Sequence, residues 1–130
     1  MVIYSNFQVQ EIDLASKEVV RDYNLQEIEG FEISEEAEED KVVDFVLEKD
    51  VQLLGVACVD KVHIFEYSEE ELTHVAAIDK ANVQKVIFVE YILVMAQDET
   101  TKVNLMCYDL ETESVTSTIQ IDKPDNKLIL

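Results

Sequence analysis

Apolar residues recur at every second position in many stretches of this chain, which is the pattern of a strand with one buried face. Val103, Leu105 and Cys107 illustrate it, and β-branched and aromatic residues are frequent in these stretches. Val51–Val59 is more continuously apolar, as expected of a strand that is covered on both faces. The pattern predicts an all-β protein.

Val83–Met95 is a longer apolar run. It fits either two strands that meet at Glu90-Tyr91 or one buried helix. Its β-branched and aromatic residues, together with an internal repeat, favour the two strands.

The internal repeat consists of three similar stretches: Ser5–Leu25, Asp60–Ile78 and Thr101–Ile121. The first and third align without a gap over 21 residues and share Asp13 and Asp109, among others. Each stretch contains a strand, a polar turn and another strand. Self-similarity at a period of about 40 residues predicts a modular β architecture.

The units span about residues 1–25, 42–80 and 83–122, and the first has room for fewer strands than the other two. Glycine and proline are scarce, at 2 and 1 residues, so we expect longer turns built on Asp, Asn and Ser rather than glycine hairpins. The predicted strands are Val2–Tyr4, Phe7–Leu14, Glu18–Leu25, Val42–Glu48, Val51–Val59, Val62–Tyr67, Leu72–Ile78, Gln84–Val89, Ile92–Gln97, Lys102–Asp109 and Ser114–Ile121.

A strongly acidic insertion, residues 26–41, separates the first unit from the second. Ile28, Phe31 and Ile33 lie among its carboxylates. Such charge opposes packing against a core, so we expect a solvated loop. The mixture of acidic and apolar residues is typical of segments that become ordered on a basic, partly apolar partner, while a linker without a specific role is the plainer alternative.

The end of the third strand in each unit, followed by a short polar turn and a fourth strand, resembles the blades of a WD-repeat β-propeller. In that family the third strand commonly ends in Trp-Asp, and the matching pairs here are Ile12-Asp13, Tyr67-Ser68 and Tyr108-Asp109. The Gly-His pair that usually opens such a blade is missing, and the chain has no Trp. The resemblance implies an all-β, propeller-like fold of antiparallel four-stranded repeats, with partners bound on a propeller face where the acidic insertion would lie.

About two and a half to three blades are visible, whereas propellers usually close with about four to eight. We therefore expect a partial propeller, as a segment of a larger one or as a chain that closes with another. Exposed strand edges would favour hetero- or homo-oligomers. A β-trefoil, with three units of four strands, is the alternative, although the first unit is too short for it and the Gln-x-Trp signature of carbohydrate-binding trefoils is absent.

The charge of the chain restricts the kind of partner. The 130 residues include 29 acidic and 10 basic side chains, for a formal net charge of −19. Phosphate backbones and anionic membranes would be repelled, so no nucleic-acid or membrane partner is expected. Proteins with basic surfaces are favoured.

The location is predicted from the cysteines and the N-terminus. Cys58 and Cys107 lie within predicted strands and are expected to be reduced core residues rather than a disulfide. The N-terminus lacks a signal-peptide pattern, and no apolar run reaches the roughly 18 residues that span a membrane. We expect an intracellular protein of the cytoplasm or nucleus.

No catalytic, metal or cofactor site is predicted. His63, expected to point outward, and His74 are the only histidines, and we expect structural or surface roles for both. Gly30 and Gly55 are the only glycines, which excludes a phosphate-cradling loop. The chain also lacks a Gly-x-Ser-x-Gly elbow and a zinc-ligand spacing.

The sequence therefore predicts a non-catalytic protein-interaction scaffold that docks partners through acidic loops. An accessory subunit of a multi-chain enzyme is one alternative, and a structural element that completes another chain's propeller through its strand edges is the other. The predicted contact residues lie in the acidic insertion and in the turn after Val62–Tyr67: Glu27, Phe31, Glu35, Glu36, Glu38, Glu39, Asp40, Glu69, Glu70 and Glu71.

Overall fold

A computed structural model describes residues 7–31, 42–68 and 71–122, together with the backbone of Val2 and Ile3. Within these residues the chain forms eleven strands and one short 3-10 helix, Leu25–Glu27. The strands are β1 (Val2–Ile3), β2 (Gln8–Asp13), β3 (Glu18–Asn24), β4 (Val42–Glu48), β5 (Leu53–Cys58), β6 (Val62–Tyr67), β7 (Leu72–Ile78), β8 (Val83–Val89), β9 (Ile92–Asp98), β10 (Lys102–Asp109) and β11 (Ser114–Asp122).

The strands form three antiparallel sheets, in which each strand pairs with its neighbours in the chain. The first sheet contains β1–β3, the second β4–β7 and the third β8–β11. In a β-trefoil, strands of different units pair to close a barrel, whereas the described strands pair only within their own unit. The fold is therefore all-β and propeller-like, and the trefoil alternative is discarded.

The second and third sheets repeat one another in detail. The register between β4 and β5 shifts between Val42 and Asp44, and the register between β8 and β9 shifts between Val83 and Lys85. A β-bulge thus occurs at the same place in both units, where it bends the first strand of the sheet. The 41-residue period of the sequence is a structural period as well.

The second sheet lies between the other two and is covered on both faces. Its strand β5 is buried at every position. One hydrophobic cluster joins it to the third sheet through residues such as Ile64 and Leu93. A second cluster joins it to the first sheet, with Val9 and Phe65 among its members. Apolar surface buried on two faces of one sheet contributes most of the stabilisation here.

The second and third sheets approach each other closely at Gly55. A Cβ atom at this position would lie 3.3 Å from the Phe88 ring and 3.4 Å from Leu93 Cδ1. The absence of a side chain therefore allows the inner strands of the two sheets to pack closely.

The hairpin turns of the first and third sheets have the same construction. Asp13 Oδ1 accepts a hydrogen bond from Ala15 N at 2.9 Å, and Asp109 Oδ1 accepts one from Glu111 N at 2.8 Å. The last turn residue is left-handed in both, with φ values of 59° at Lys17 and 55° at Glu113. These Asp-based turns confirm the prediction of longer loops without glycine.

The turn between β8 and β9 differs from that prediction. Val89 pairs with Ile92, so the loop has only two residues, and Glu90 adopts a left-handed φ of 55°. The predicted break of the apolar run at Glu90-Tyr91 is confirmed, but the tight turn forms there without a glycine.

Two further predictions are corrected by the structure. His63 is only 2% exposed, because the aromatic side chains beside the first sheet cover the side of β6 that was expected to face solvent. The beginning of the acidic insertion also packs on the core, since Phe31 is buried and Ile28 is partly buried.

A pair of glycine substitutions in one turn tests the cost of a left-handed backbone. We expect Glu113→Gly to maintain or raise the free energy of unfolding, because a non-glycine residue at positive φ costs about 1 kcal/mol. Glu111, in the same turn, does not have a positive φ. Glu111→Gly should lower the free energy of unfolding by about 0.5–1 kcal/mol, as measured by urea denaturation. Equal effects of the two substitutions would contradict this account of the turn.

Candidate interaction surfaces

The third sheet has one face that is apolar and uncovered. Its other face packs on the second sheet through residues such as Val86, Phe88 and Met95. On the outward side the apolar residues are neighbours across all four strands, because Ile87 pairs with Val94 and Leu105 pairs with Ile119. We call this surface the open face, and its apolar residues are Ile87, Val89, Ile92, Val94, Ala96, Leu105, Cys107, Ile119 and Ile121.

The exposure of the open face is substantial. Ile87 is 54% exposed and Ile119 is 60% exposed. A shallow, mostly apolar groove of about 170 Å³ crosses the face, with Lys85 and Ala96 among its lining residues. Other exposed apolar residues lie elsewhere, such as Leu14 in the turn between β2 and β3 and Val75 on β7. A contiguous apolar patch, unlike scattered residues, is typical of an interaction site.

The predicted acidic contact residues are only partly within the described structure. Glu27 and Glu71 are exposed, at the end of the 3-10 helix and at the end of the turn before β7. Their contact with a partner stays a prediction. The other acidic contact residues lie outside the described residues: Glu35, Glu36, Glu38, Glu39, Asp40, Glu69 and Glu70.

Phe31 differs from the acidic residues because its ring lies in the core. It is 7% exposed, and its ring centroid lies 4.5 Å from that of His63 and 5.6 Å from that of Phe7. Successive turns bring the chain back to this point: Ile28 N donates to Leu25 O and Phe31 N donates to Ile28 O. In this conformation Phe31 anchors the start of the acidic insertion and does not offer its ring to a partner.

His63 and His74 form a hydrogen-bonded pair beside this anchor. Nδ1 of His63 lies 3.1 Å from Nε2 of His74, on the neighbouring strand. Gly30 passes over His74 with a φ of 94°, and a Cβ there would lie 3.0 Å from the His74 Nδ1 atom. The pair therefore lies beneath residues 30–31, where the acidic insertion leaves the core.

Burial lowers the pKa of His63 from 6.5 to about 4, with smaller contributions from His74 and Lys61. Burial also lowers the pKa of His74. Both imidazoles are therefore neutral at pH 7, and the hydrogen bond between them is one between neutral rings. The sequence could not indicate this pair, because it depends on which sides of β6 and β7 are covered.

In the part of the chain that the structure describes, no group of three or more His, Cys, Asp or Glu side chains could hold a metal ion. Cys58 and Cys107 are both thiols, the first buried and the second half-buried. A wide polar depression near the β9–β10 turn is lined by Asn82, Asp98 and Glu99, among others, and it is open to solvent.

The chain resembles a solved structure but matches no family model and no curated protein. A solved structure that resembles it is that of Kluyvelomyces marxianus Hsv2, with 18% sequence identity and a TM-score of 0.47. The match covers 68% of this chain and 29% of Hsv2, so the chain spans less than a third of that protein.

Among the described residues, no helix combines the length and the apolar composition that crossing a bilayer requires.

The role of Phe31 can be tested by truncation. We expect Phe31→Ala to lower the free energy of unfolding by about 3 kcal/mol, because it removes a ring that packs on Phe7, His63 and Phe65. Glu27→Ala, four residues away and exposed, should change it by less than about 0.5 kcal/mol. Urea denaturation measures both. An unchanged midpoint for Phe31→Ala would contradict the anchor.

The histidine pair predicts a pH-dependent stability. Because the folded-state pKa of His63 is about 4 and its ordinary value is 6.5, the unfolded state binds more protons between these values. The stabilisation is complete above pH 6.5 and is lost as the pH falls towards 4, by up to about 3 kcal/mol.

The comparison for this measurement is His63→Asn, which carries the residue found at the equivalent position of β10, Asn104. Between pH 7 and pH 4.5 the original chain should lose about 2 kcal/mol more stability than the variant does. Denaturation midpoints at four or five pH values give the two slopes. Parallel slopes would show that His63 does not titrate as described.

Proposed function

We propose that this chain is a non-catalytic protein-interaction scaffold, a propeller-like subunit or segment of a larger complex. The observation that carries the proposal is the open face of the third sheet. A sheet that is apolar on both faces, with one face left to solvent, loses free energy of burial that a partner would recover.

Acidic surfaces are the proposed second route of docking. Glu27 and Glu71 are exposed, and the chain carries a formal net charge of −19. This charge favours partners with basic surfaces, raises the rate of encounter with them, and disfavours nucleic acid. Phe31 supports this route indirectly, since it fixes the point from which the acidic insertion leaves the core.

The second candidate function is structural: the chain supplies sheets that complete another chain's propeller. The arrangement of the second and third sheets favours it, because two successive four-stranded sheets pack face to face through their first strands β4 and β8. This candidate and the scaffold function differ only in whether the partner is a propeller as well.

Neutralising the acidic insertion tests the acidic route. We expect the quadruple variant Glu35→Gln, Glu36→Gln, Glu38→Gln, Glu39→Gln to bind a fluorescent Lys/Leu-rich peptide about tenfold more weakly in 50 mM salt. The salt dependence of binding, measured by fluorescence anisotropy between 50 and 300 mM, should become flatter.

The matched control removes the same charge elsewhere on the surface. Glu18, Glu90, Glu111 and Glu113 are exposed residues of hairpins, and their replacement by Gln should have a smaller effect. If both quadruple variants lose peptide affinity to the same extent, net charge alone determines binding, and the insertion is not a docking site.

A further inference from the structure

The open face is the structural equivalent of a surface that is already covered elsewhere in the molecule. The matching registers align β4–β7 with β8–β11. Residues of the second sheet that pack against the third then correspond to open-face residues, as in the pairs Val46 and Ile87, Leu53 and Ile92, and Ile64 and Cys107.

This equivalence indicates which kind of structural element could cover the open face. The second sheet receives the third through a layer that includes Val86, Phe88 and Met95. Since the open face has apolar residues at the equivalent places, a four-stranded sheet with a similar apolar layer would cover it in the same geometry. Such a sheet would repeat, on the outside of the third sheet, the contact that the third makes with the second.

At one position the two sheets carry different polar side chains, and this difference determines which polar group a partner of the open face must offer. At the bulge of β4, Asp44 Oδ2 accepts a hydrogen bond of 3.0 Å from the backbone N–H of Val86 in the neighbouring sheet. The bulge of β8 has Lys85 at the corresponding place, and this side chain is exposed. A donor replaces an acceptor, so a backbone N–H at this point of the incoming sheet would face an ammonium group.

A second copy of the chain does not have the complementary surface. The side of its first sheet that faces away from the second sheet presents Gln8, Gln10 and Asp22, with Ile12 and Val19 as the only apolar neighbours among the described side chains, and Gln10 Nε2 donates to Asp22 Oδ2 at 3.5 Å. Two open faces in contact would each present Lys85 to the other. Chains of formal charge −19 also repel one another.

We infer that the open face binds a four-stranded β-sheet of another protein, one with an apolar inner layer and a hydrogen-bond acceptor, such as a carboxylate, opposite Lys85. The inference rests on the proposed scaffold function and specifies which surface the partner must have. The acidic route of docking is independent of it.

The test extends the full chain at Leu130 with a second copy of residues 79–122, in which Cys107→Ser removes the added thiol. The added sheet is the probe, because its inner layer already covers the second sheet. Cys107 of the original third sheet lies on the open face and reports coverage through its rate of maleimide labelling, followed by mass spectrometry. With Lys85→Asp in the original sheet, which restores the acceptor, labelling should slow by about tenfold relative to the unextended chain carrying the same substitution.

Two comparisons isolate the inferred contacts. The extended chain that keeps Lys85 should be labelled clearly faster than the Lys85→Asp form. Adding Ile87→Asp to the Lys85→Asp form should restore fast labelling, while Val20→Asp should not, although Ile87 and Val20 are both 54% exposed.

Three results would overturn the inference. Fast labelling in the Lys85→Asp form would show that the face does not receive a sheet. Equal labelling rates of the extended chains with Lys85 and with Lys85→Asp would show that the partner needs no hydrogen-bond acceptor opposite Lys85. A dimer of the unextended chain in light scattering at 50 µM, abolished by Ile87→Asp, would assign the face to a second copy. None of these measurements depends on peptide binding by the acidic insertion, so failure of that route would be seen separately.

Discussion

The structure depends on the burial of the second sheet from both sides. Strand β5 has no exposed position, and the side chains of β5 and β6 alternate between two hydrophobic clusters, one shared with each neighbouring sheet. Most of the buried apolar area here lies between sheets, so the first and third sheets are stabilised chiefly by their packing on the second. Gly55 is one point at which the third sheet approaches the second closely.

Strand positions were predictable from the sequence because alternation and repeat agreed. Val42–Glu48, Val62–Tyr67, Leu72–Ile78 and Lys102–Asp109 have the predicted bounds, and the other strands differ at their ends by two residues or fewer. The side of a strand was harder to predict where both sides are covered. Alternation with Ile64 predicts an outward His63 side chain, but at this point of β6 both sides of the strand are covered.

In the candidate surfaces, too, some features were predictable from the local sequence and others depend on how distant parts of the chain pack. The exposure of Glu27 and Glu71 follows from charge, whereas the burial of Phe31 depends on a 3-10 turn capped by Asn24, whose side chain accepts from Gln26 N. Local composition around Phe31 is acidic and gave no sign of that turn. The open face was not predicted either, since a strand that is apolar on both faces has the same sequence whether its second face is covered or not.

The contact between the first and second sheets and the contact between the second and third should respond differently to acid, and this difference affects the order in which the sheets unfold. His63 and His74 lie in the contact between the first and second sheets, beside Phe31, whereas the hydrophobic cluster between the second and third sheets contains no histidine among its described members. Protonation of the pair weakens one contact and leaves the other intact. At mildly acidic pH we therefore expect the contact between the first and second sheets to weaken before the contact between the second and third, so that the first sheet is the part of the molecule that opens first.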